Sequence, residues 1–147
     1  MYFGYFEHHL DEKGRLLLPK KIKESLKEGE TIYVLKGFEG CLAVYDEAEF
    51  NKLCSECENI SYTKKNSRDY LRVVLGSVIA LSLDKVGRIQ IPSLTLSKYQ
   101  IGKNVVILGV RDHFEIWDME AYQKYEADIN DNFEQIAESL NKDEKRD

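Results

Sequence analysis

The sequence predicts an α+β fold in which two similar halves pack on each other around one shared core. The stretch Leu10–Pro19 (LDEKGRLLLP) returns seventy-three positions later as Leu83–Pro92 (LDKVGRIQIP), and an internal repeat has to be settled before any other reading. The correspondence also runs on past the prolines, so a domain rather than a loop is duplicated. Ile32-Tyr33-Val34-Leu35 falls on Val105-Val106-Ile107-Leu108. After the loss of one residue in the second copy, Val44-Tyr45-Asp46 falls on Ile116-Trp117-Asp118 and Phe50 on Tyr122. Each copy covers fewer than fifty residues, near the size at which a lone core is marginal, so the halves are expected to share theirs. Residues 5–53 form the first predicted domain, 77–123 the second, and 124–147 a helical tail.

Taken in order, Tyr5–Leu10 reads as a strand entering the first motif. Glu12-Lys13-Gly14 is the tip of a hairpin turn, with Gly14 supplying the positive φ, and Arg15–Leu18 is the strand that leaves it. Pro19 suits the first position of a short helix through Ile22 and Leu26, which Gly29 closes. Thr31–Leu35 and Cys41–Tyr45 make a further hairpin around Gly37 and Gly40. Asp46 with Glu49 forms a capping box for a helix through Phe50 and Leu53.

Asn59–Tyr62 reads as a connector to a helix from Lys64 to Leu75 that stops at Gly76. That helix carries Leu71, Val74 and Leu75 toward the core and Arg68 and Arg72 on another face. The second copy then repeats the order: strand Val78–Leu83, turn Lys85-Val86-Gly87, strand Arg88–Ile91, a short segment after Pro92, and strands Asn104–Gly109 and His113–Trp117. Asp118 caps a helix bearing Met119, Tyr122 and Tyr125. A last helix, Asn132–Leu140, carries Phe133, Ile136 and Leu140 before a charged end expected to fray.

The 147 residues are 43% hydrophobic and 32% charged, an ordinary soluble composition. No apolar run approaches the roughly 20 residues of a membrane helix. The segment Met1–His9 has neither a basic region nor a cleavage site of the export type, so a cytoplasmic protein is expected. Net charge is −5, yet the charge is unevenly placed. Lys13, Arg15, Lys20, Lys21, Lys23 and Lys27 face one acid, Glu24. Lys64, Lys65, Arg68, Arg72, Lys85 and Arg88 face Asp69 and Asp84, whereas the chain from Glu115 onward holds eleven acids and four bases. For binding a polyanion the local patch counts for more than the total.

Cys41, Cys54 and Cys57 are expected to be reduced thiols. The Cys54/Cys57 pair is half a zinc site at most, since adjacent His8 and His9 on a strand point to opposite faces and a closed site needs four ligands. No metal and no cofactor are expected. His8, His9, Asp11 and His113 are the histidine and carboxylate candidates for catalysis, but no nucleophile motif or phosphate loop accompanies them, so no enzyme is expected.

What remains is the doubled turn. An Asp with an Arg four residues on can brace a turn by an ion pair, and Gly is ordinary turn chemistry. Duplication within basic surroundings adds a second role, because an arginine just past each tip can reach a phosphate or the O6/N7 edge of guanine. The candidate DNA-binding residues are therefore Lys13, Arg15, Lys20, Lys21, Lys85 and Arg88, with Asp11, Gly14, Asp84 and Gly87 shaping the turns.

The double Asp-x-x-Gly-Arg pattern, Leu18-Pro19 and the run Lys36-Gly37-Phe38-Glu39-Gly40-Cys41-Leu42 resemble the MraZ family of bacterial transcriptional regulators over nearly the whole chain. The resemblance implies two AbrB-like swapped-hairpin modules in a shared pseudo-symmetric barrel with flanking helices. It also implies a ring-shaped homo-oligomer on double-stranded DNA with direct repeats, ahead of the division and cell-wall genes, and hence a cytoplasmic, nucleoid-associated protein. The family's Asp-x-x-x-Arg signature carries over to Asp11/Arg15 and Asp84/Arg88. Ser93-Leu94 lacks the bases of Lys20-Lys21, so the second copy is expected to grip DNA less strongly. The competing reading is an antitoxin-like interaction module whose acidic tail engages a protein partner, against which Tyr122, Tyr125 and Phe133 suggest that the tail packs on its own body.

Overall fold

The computed structural model describes residues 1–144. Fourteen elements follow in order: β1 (Tyr2–His9), β2 (Arg15–Leu17), α1 (Lys20–Lys23), β3 (Thr31–Lys36), β4 (Leu42–Tyr45), α2 (Glu47–Glu58), α3 (Lys65–Ser77), β5 (Ile79–Ser82), β6 (Arg88–Gln90), α4 (Ser93–Lys98), β7 (Asn104–Arg111), β8 (Phe114–Asp118), α5 (Met119–Asp131) and α6 (Phe133–Glu144). The charged end expected to fray reaches residues 145–147, outside those described.

Six strands form one antiparallel sheet in the order β1-β7-β8-β4-β3-β5, and β2 pairs with β6 in a separate two-stranded ribbon. Exchanging the two copies turns the sheet order into its own reverse, so the sequence repeat has become a pseudo-two-fold axis. The axis passes between Ala43 and Glu115 in the sheet and between Leu16 and Ile89 in the ribbon, each opposite its own counterpart. The equivalence extends to register: Phe6 lies opposite Ile107 and its counterpart Ile79 lies opposite Val34.

Two expectations are corrected. The strands flanking each turn do not pair with each other as a hairpin, because β1 lies along β7 and β2 along β6, both from the other copy. A side chain at Gly109 would overlap the backbone of Phe3, so glycine permits β1 to lie against β7 there. Nor do the strands close into a barrel. β1 and β5 stand at opposite edges of the sheet with four strands between them, and a ribbon of three-residue strands is too short to bridge those edges. The ribbon instead packs across one face.

That face holds the main core, where Leu16, Leu18, Ile89, Ile91 and Ile22 meet Ile32, Val34, Val44, Val105, Ile107, Phe114 and Ile116. A core drawn from both copies answers the size problem, since neither half could bury such a set alone. The opposite face is covered in two patches. α2 and α3 cover Leu35, Ala43 and Tyr45, while α5 covers Val106 and Trp117 with Tyr122 and Tyr125.

Caps form where the sequence placed them: Asp46 accepts from the Glu49 amide at 2.9 Å and Asp118 from the Ala121 amide at 3.1 Å. β1 starts earlier than expected, at Tyr2, whose hydroxyl donates to Asp46 at 2.6 Å. α1 is shorter than expected and ends before Leu26. α3 runs through Gly76 to Ser77, where the Ser77 hydroxyl donates to the Val74 carbonyl at 2.7 Å and accepts from the Lys36 amide at 2.9 Å. A side chain, not the glycine, closes that helix.

Candidate nucleic-acid interface

Each turn is organised by its aspartate. Oδ1 of Asp11 accepts from the amides of Lys13 and Arg15, both at 2.9 Å, and Oδ2 accepts from Nε of Arg15 at 2.6 Å. The backbone closes the loop with Gly14 N–H to the Asp11 carbonyl and Asp11 N–H to the Arg15 carbonyl. Asp84 repeats every bond, to the amides of Val86 and Arg88 and to Nε of Arg88 at 2.9 Å. The backbone amides of Arg15 and Arg88, ahead of the guanidinium contacts, hold both carboxyls below the usual carboxylate range.

Using Nε for the aspartate has a consequence for the arginines. The guanidinium is fixed by its inner edge, and the Nη nitrogens have no hydrogen-bond partner among the described residues. That outer edge is the one that makes a two-bond contact to guanine or phosphate. Aspartate therefore braces the turn and aims the arginine with the same bonds.

The turns lie close together because of the β2–β6 exchange. The Ile91 amide donates to the Gly14 carbonyl and the Leu18 amide to the Gly87 carbonyl, so each turn is bonded to the strand leaving the other. Within the ribbon, Leu16 and Ile89 point into the core. Alternation then places Arg15, Leu17, Arg88 and Gln90 on the outward face. Gln90 Nε2 donates to the Lys13 carbonyl at 3.0 Å, tying the second strand to the first tip. The sequence reading missed Leu17 and Gln90; their signal was the period-two alternation with Leu16 and Ile89.

Lys13 and Lys85 are both at the tips but are not counterparts, since Lys13 aligns with Val86 and Lys85 with Glu12. Lys20 and Lys21 open α1 directly after β2. Lys64, Lys65, Arg68 and Arg72, counted with the basic surroundings of the motif, belong elsewhere. α3 packs on the sheet face opposite the ribbon, and Arg68 there binds the Tyr62 and Thr63 carbonyls at 3.2 and 2.9 Å. Beside the first turn lies a groove of about 1020 Å³ walled by Leu10, Leu81, Ile91, Leu96 and Ile101.

The remaining candidates are dispersed. His8 is half-buried and His9 exposed on β1, while His113 stacks on Tyr45 far along the chain in the β7–β8 turn. Cys54 and Cys57 sit three apart on α2, Cys41 is in the core, and burial pushes the Cys41 and Cys57 thiols up. Among the described residues no three His, Cys, Asp or Glu side chains gather as metal ligands, and no helix is long and apolar enough to cross a membrane.

The family model of MraZ protein, described as antitoxin-like, matches residues 1–73 and 76–144, one match for each copy. The chain belongs to the MraZ family. Among curated MraZ proteins, "Transcriptional regulator MraZ" of Mesoplasma florum is 40% identical over 95% of this chain and 95% of its own. The proteins of that name from Lactiplantibacillus plantarum and Caldanaerobacter subterraneus are 38% and 36% identical, over 95% of this chain and 98% and 96% of theirs. A solution structure of PHS018 from Pyrococcus horikoshii covers 78% of this chain and 95% of its own at 12% identity and a TM-score of 0.37, too low to bear on the fold.

Proposed function

We propose that this MraZ-family chain is a transcriptional regulator that binds double-stranded DNA through the outward face of the β2–β6 ribbon and the two turns beside it. The observation that carries this reading is the pair of arginines on one ribbon face, each held by Nε and presenting its free edge. A B-DNA major groove accepts a two-stranded ribbon, and two-bonded arginine at guanine is the commonest specific contact. Arg15 and Arg88 are assigned to bases or the phosphates beside them, Lys13, Lys20, Lys21 and Lys85 to phosphates, and Asp11, Gly14, Asp84 and Gly87 to turn shape. The relatives named as transcriptional regulators support the same function.

One ribbon offers little area, whereas specific DNA complexes bury about 1,000 Å² or more of protein surface. We therefore assign the working form to a ring-shaped homo-oligomer on direct repeats upstream of the division and cell-wall gene cluster, including its own gene, in the nucleoid. The two copies of the motif serve as the two domains of each subunit, residues 5–53 and 77–123. Footprinting on the DNA upstream of the protein's own gene tests the reading. Protection is expected over regularly spaced repeats, with affinity falling steeply when repeat spacing changes by half a helical turn. Equal affinity for one isolated repeat and for the array would remove the case for an oligomer.

A further inference from the structure

The outward face of the β2–β6 ribbon carries four side chains in two cross-strand pairs, Arg15 opposite Gln90 and Leu17 opposite Arg88. The pairs lie two residues apart along the strands, about 7 Å, which is about two base-pair steps of DNA. The pseudo-two-fold axis runs between them, past Leu16 and Ile89. It exchanges Arg15 with Arg88, which are braced alike, and Leu17 with Gln90, which differ in chemistry. Two like arginines do not tell one direction along DNA from the other, because turning the chain about this axis puts each where its counterpart was. Nor does the uneven placing of the lysines, since phosphates flank every base pair and carry no sequence. The direct repeats proposed above nonetheless require every chain to sit the same way round. On the ribbon face, Leu17 and Gln90 are what breaks the symmetry.

Each has its own means of reading a base. Leu17 is 41% exposed, an apolar side chain opposite Arg88 on a face otherwise polar. In the major groove an apolar group meets the C5-methyl of thymine. Gln90 is exposed, and one of the two N–H groups of Nε2 donates to the Lys13 carbonyl at 3.0 Å. That bond holds the carboxamide beside Arg15 and leaves its second N–H and its Oε1 without a partner among the described residues. A carboxamide with that edge free makes a two-bond contact to N6 and N7 of adenine.

We infer that Leu17 and Gln90 determine specificity by setting the direction of each chain on its site, Leu17 through a thymine methyl at the Arg88 end of the ribbon and Gln90 through an adenine at the Arg15 end. The inference rests on the DNA reading above and adds to it the two contacts that make a site directional. The arginines supply the grip that both ends share, and the uncharged pair supplies the difference between the ends.

The test is a set of binding titrations of the full-length protein on the footprinted upstream DNA and on copies with one base atom altered. Uracil in place of a thymine removes only the methyl, and 7-deazaadenine in place of an adenine removes only the N7 acceptor. Wild type is expected to lose about fourfold in affinity per site at one thymine, the worth of one buried methyl. At one adenine it is expected to lose about fivefold, the low end for a two-bond contact. Leu17→Ser should be indifferent to uracil and still sensitive to 7-deazaadenine, and Gln90→Ala the reverse. Thermal melts check that each variant is folded, and Leu17→Gln and Gln90→Leu, with the same expected pattern, replace any that is not. Leu17→Gln also makes the two ends alike, so it should bind an array with alternate repeats inverted as tightly as the direct array, where wild type favours the direct one. Variants that respond to the altered bases as wild type does overturn the inference, as does a Leu17→Gln protein that keeps the preference for direct repeats; binding that still depends on Arg15 and Arg88 would then leave the DNA reading standing. Binding that survives loss of both arginines overturns the DNA reading and the inference with it.

Discussion

The two motif turns share every hydrogen bond of the aspartate brace, yet their surroundings differ, and the difference separates geometry from grip. At the first turn Lys13 is at the tip, and Lys20 and Lys21 follow the ribbon. At the second, the same places hold Val86, Ser93 and Leu94, with Val86 57% and Leu94 80% exposed. On the ribbon face Leu17 of the first copy stands where the second has Gln90. Duplication kept the aspartate brace that positions the arginine, because that brace is local backbone chemistry. The flanking charges differ between the copies; they are exposed, and no hydrogen bond of the turn brace uses them. The second turn supplies an aimed arginine with Lys85 at its tip, where the first has Glu12, but without the lysine pair that follows the first ribbon strand.

Replacing Arg15 by Ala should reduce specific DNA binding most, by about 1 to 3 kcal/mol at each site and more across linked sites. Arg88→Ala should cost less on the same titration. Equal losses would show that the flanking bases do not rank the two copies. The fold should survive both changes, since Asp11 and Asp84 keep their two backbone bonds.

The glycines sharpen the comparison at the level of stability. Gly14 has φ +77°, and a Cβ there would stand 2.6 Å from the Ile91 carbonyl oxygen; Gly87 has φ +91° but would meet only the flexible end of Lys23. Both Ala variants carry left-handed strain of about 1 to 3 kcal/mol. Gly14→Ala should lie toward the upper end, as a larger drop in denaturation midpoint.

Giving the first copy the second copy's residues, Lys20→Ser with Lys21→Leu, should weaken binding to all sequences alike and lower the salt slope by roughly 0.9 for each phosphate left without its lysine. A changed base preference at constant slope would move those lysines from phosphates to bases.

The smallest expected effect is on pH. Burial alone would depress the His113 imidazole, but the Glu115 and Asp112 carboxylates outweigh it and hold the group above its ordinary value. A raised folded-state value stabilises fully below the unfolded value of about 6.5 and is lost as pH rises through the folded one. His113→Gln should therefore remove part of the fall in melting temperature above that range. Asp11 and Asp84 act oppositely: their depressed values stabilise above about 3.9 and that contribution is lost as the solution is acidified.

Much of this was legible in the chain. The turns, both aspartate caps and the buried Leu16 and Ile89 followed from spacing and alternation, which act over a few residues. The placement of the α3 bases was not legible, because which face of a sheet a helix covers depends on partners distant in sequence. Leu17 and Gln90 stood in plain alternation, but neither carries a charge to mark it as part of the proposed DNA-binding face.

By itself the sequence determined that the chain is doubled, that its halves need one core, and that each Asp-x-x-Gly-Arg turn aims an arginine, because these rest on repeat length, apolar content and local hydrogen bonding. Only the tertiary structure decided that β1 and β2 pair with β7 and β6 across the copies, that the sheet stays open, and that α6 leaves its own body, with Phe133 65% exposed rather than anchored on it. Alternation marks which face of a strand is buried but not which strand lies beside it, so the choice falls to long-range contacts such as Phe3 against Gly109 and Ile91 against Gly14, which no local pattern encodes.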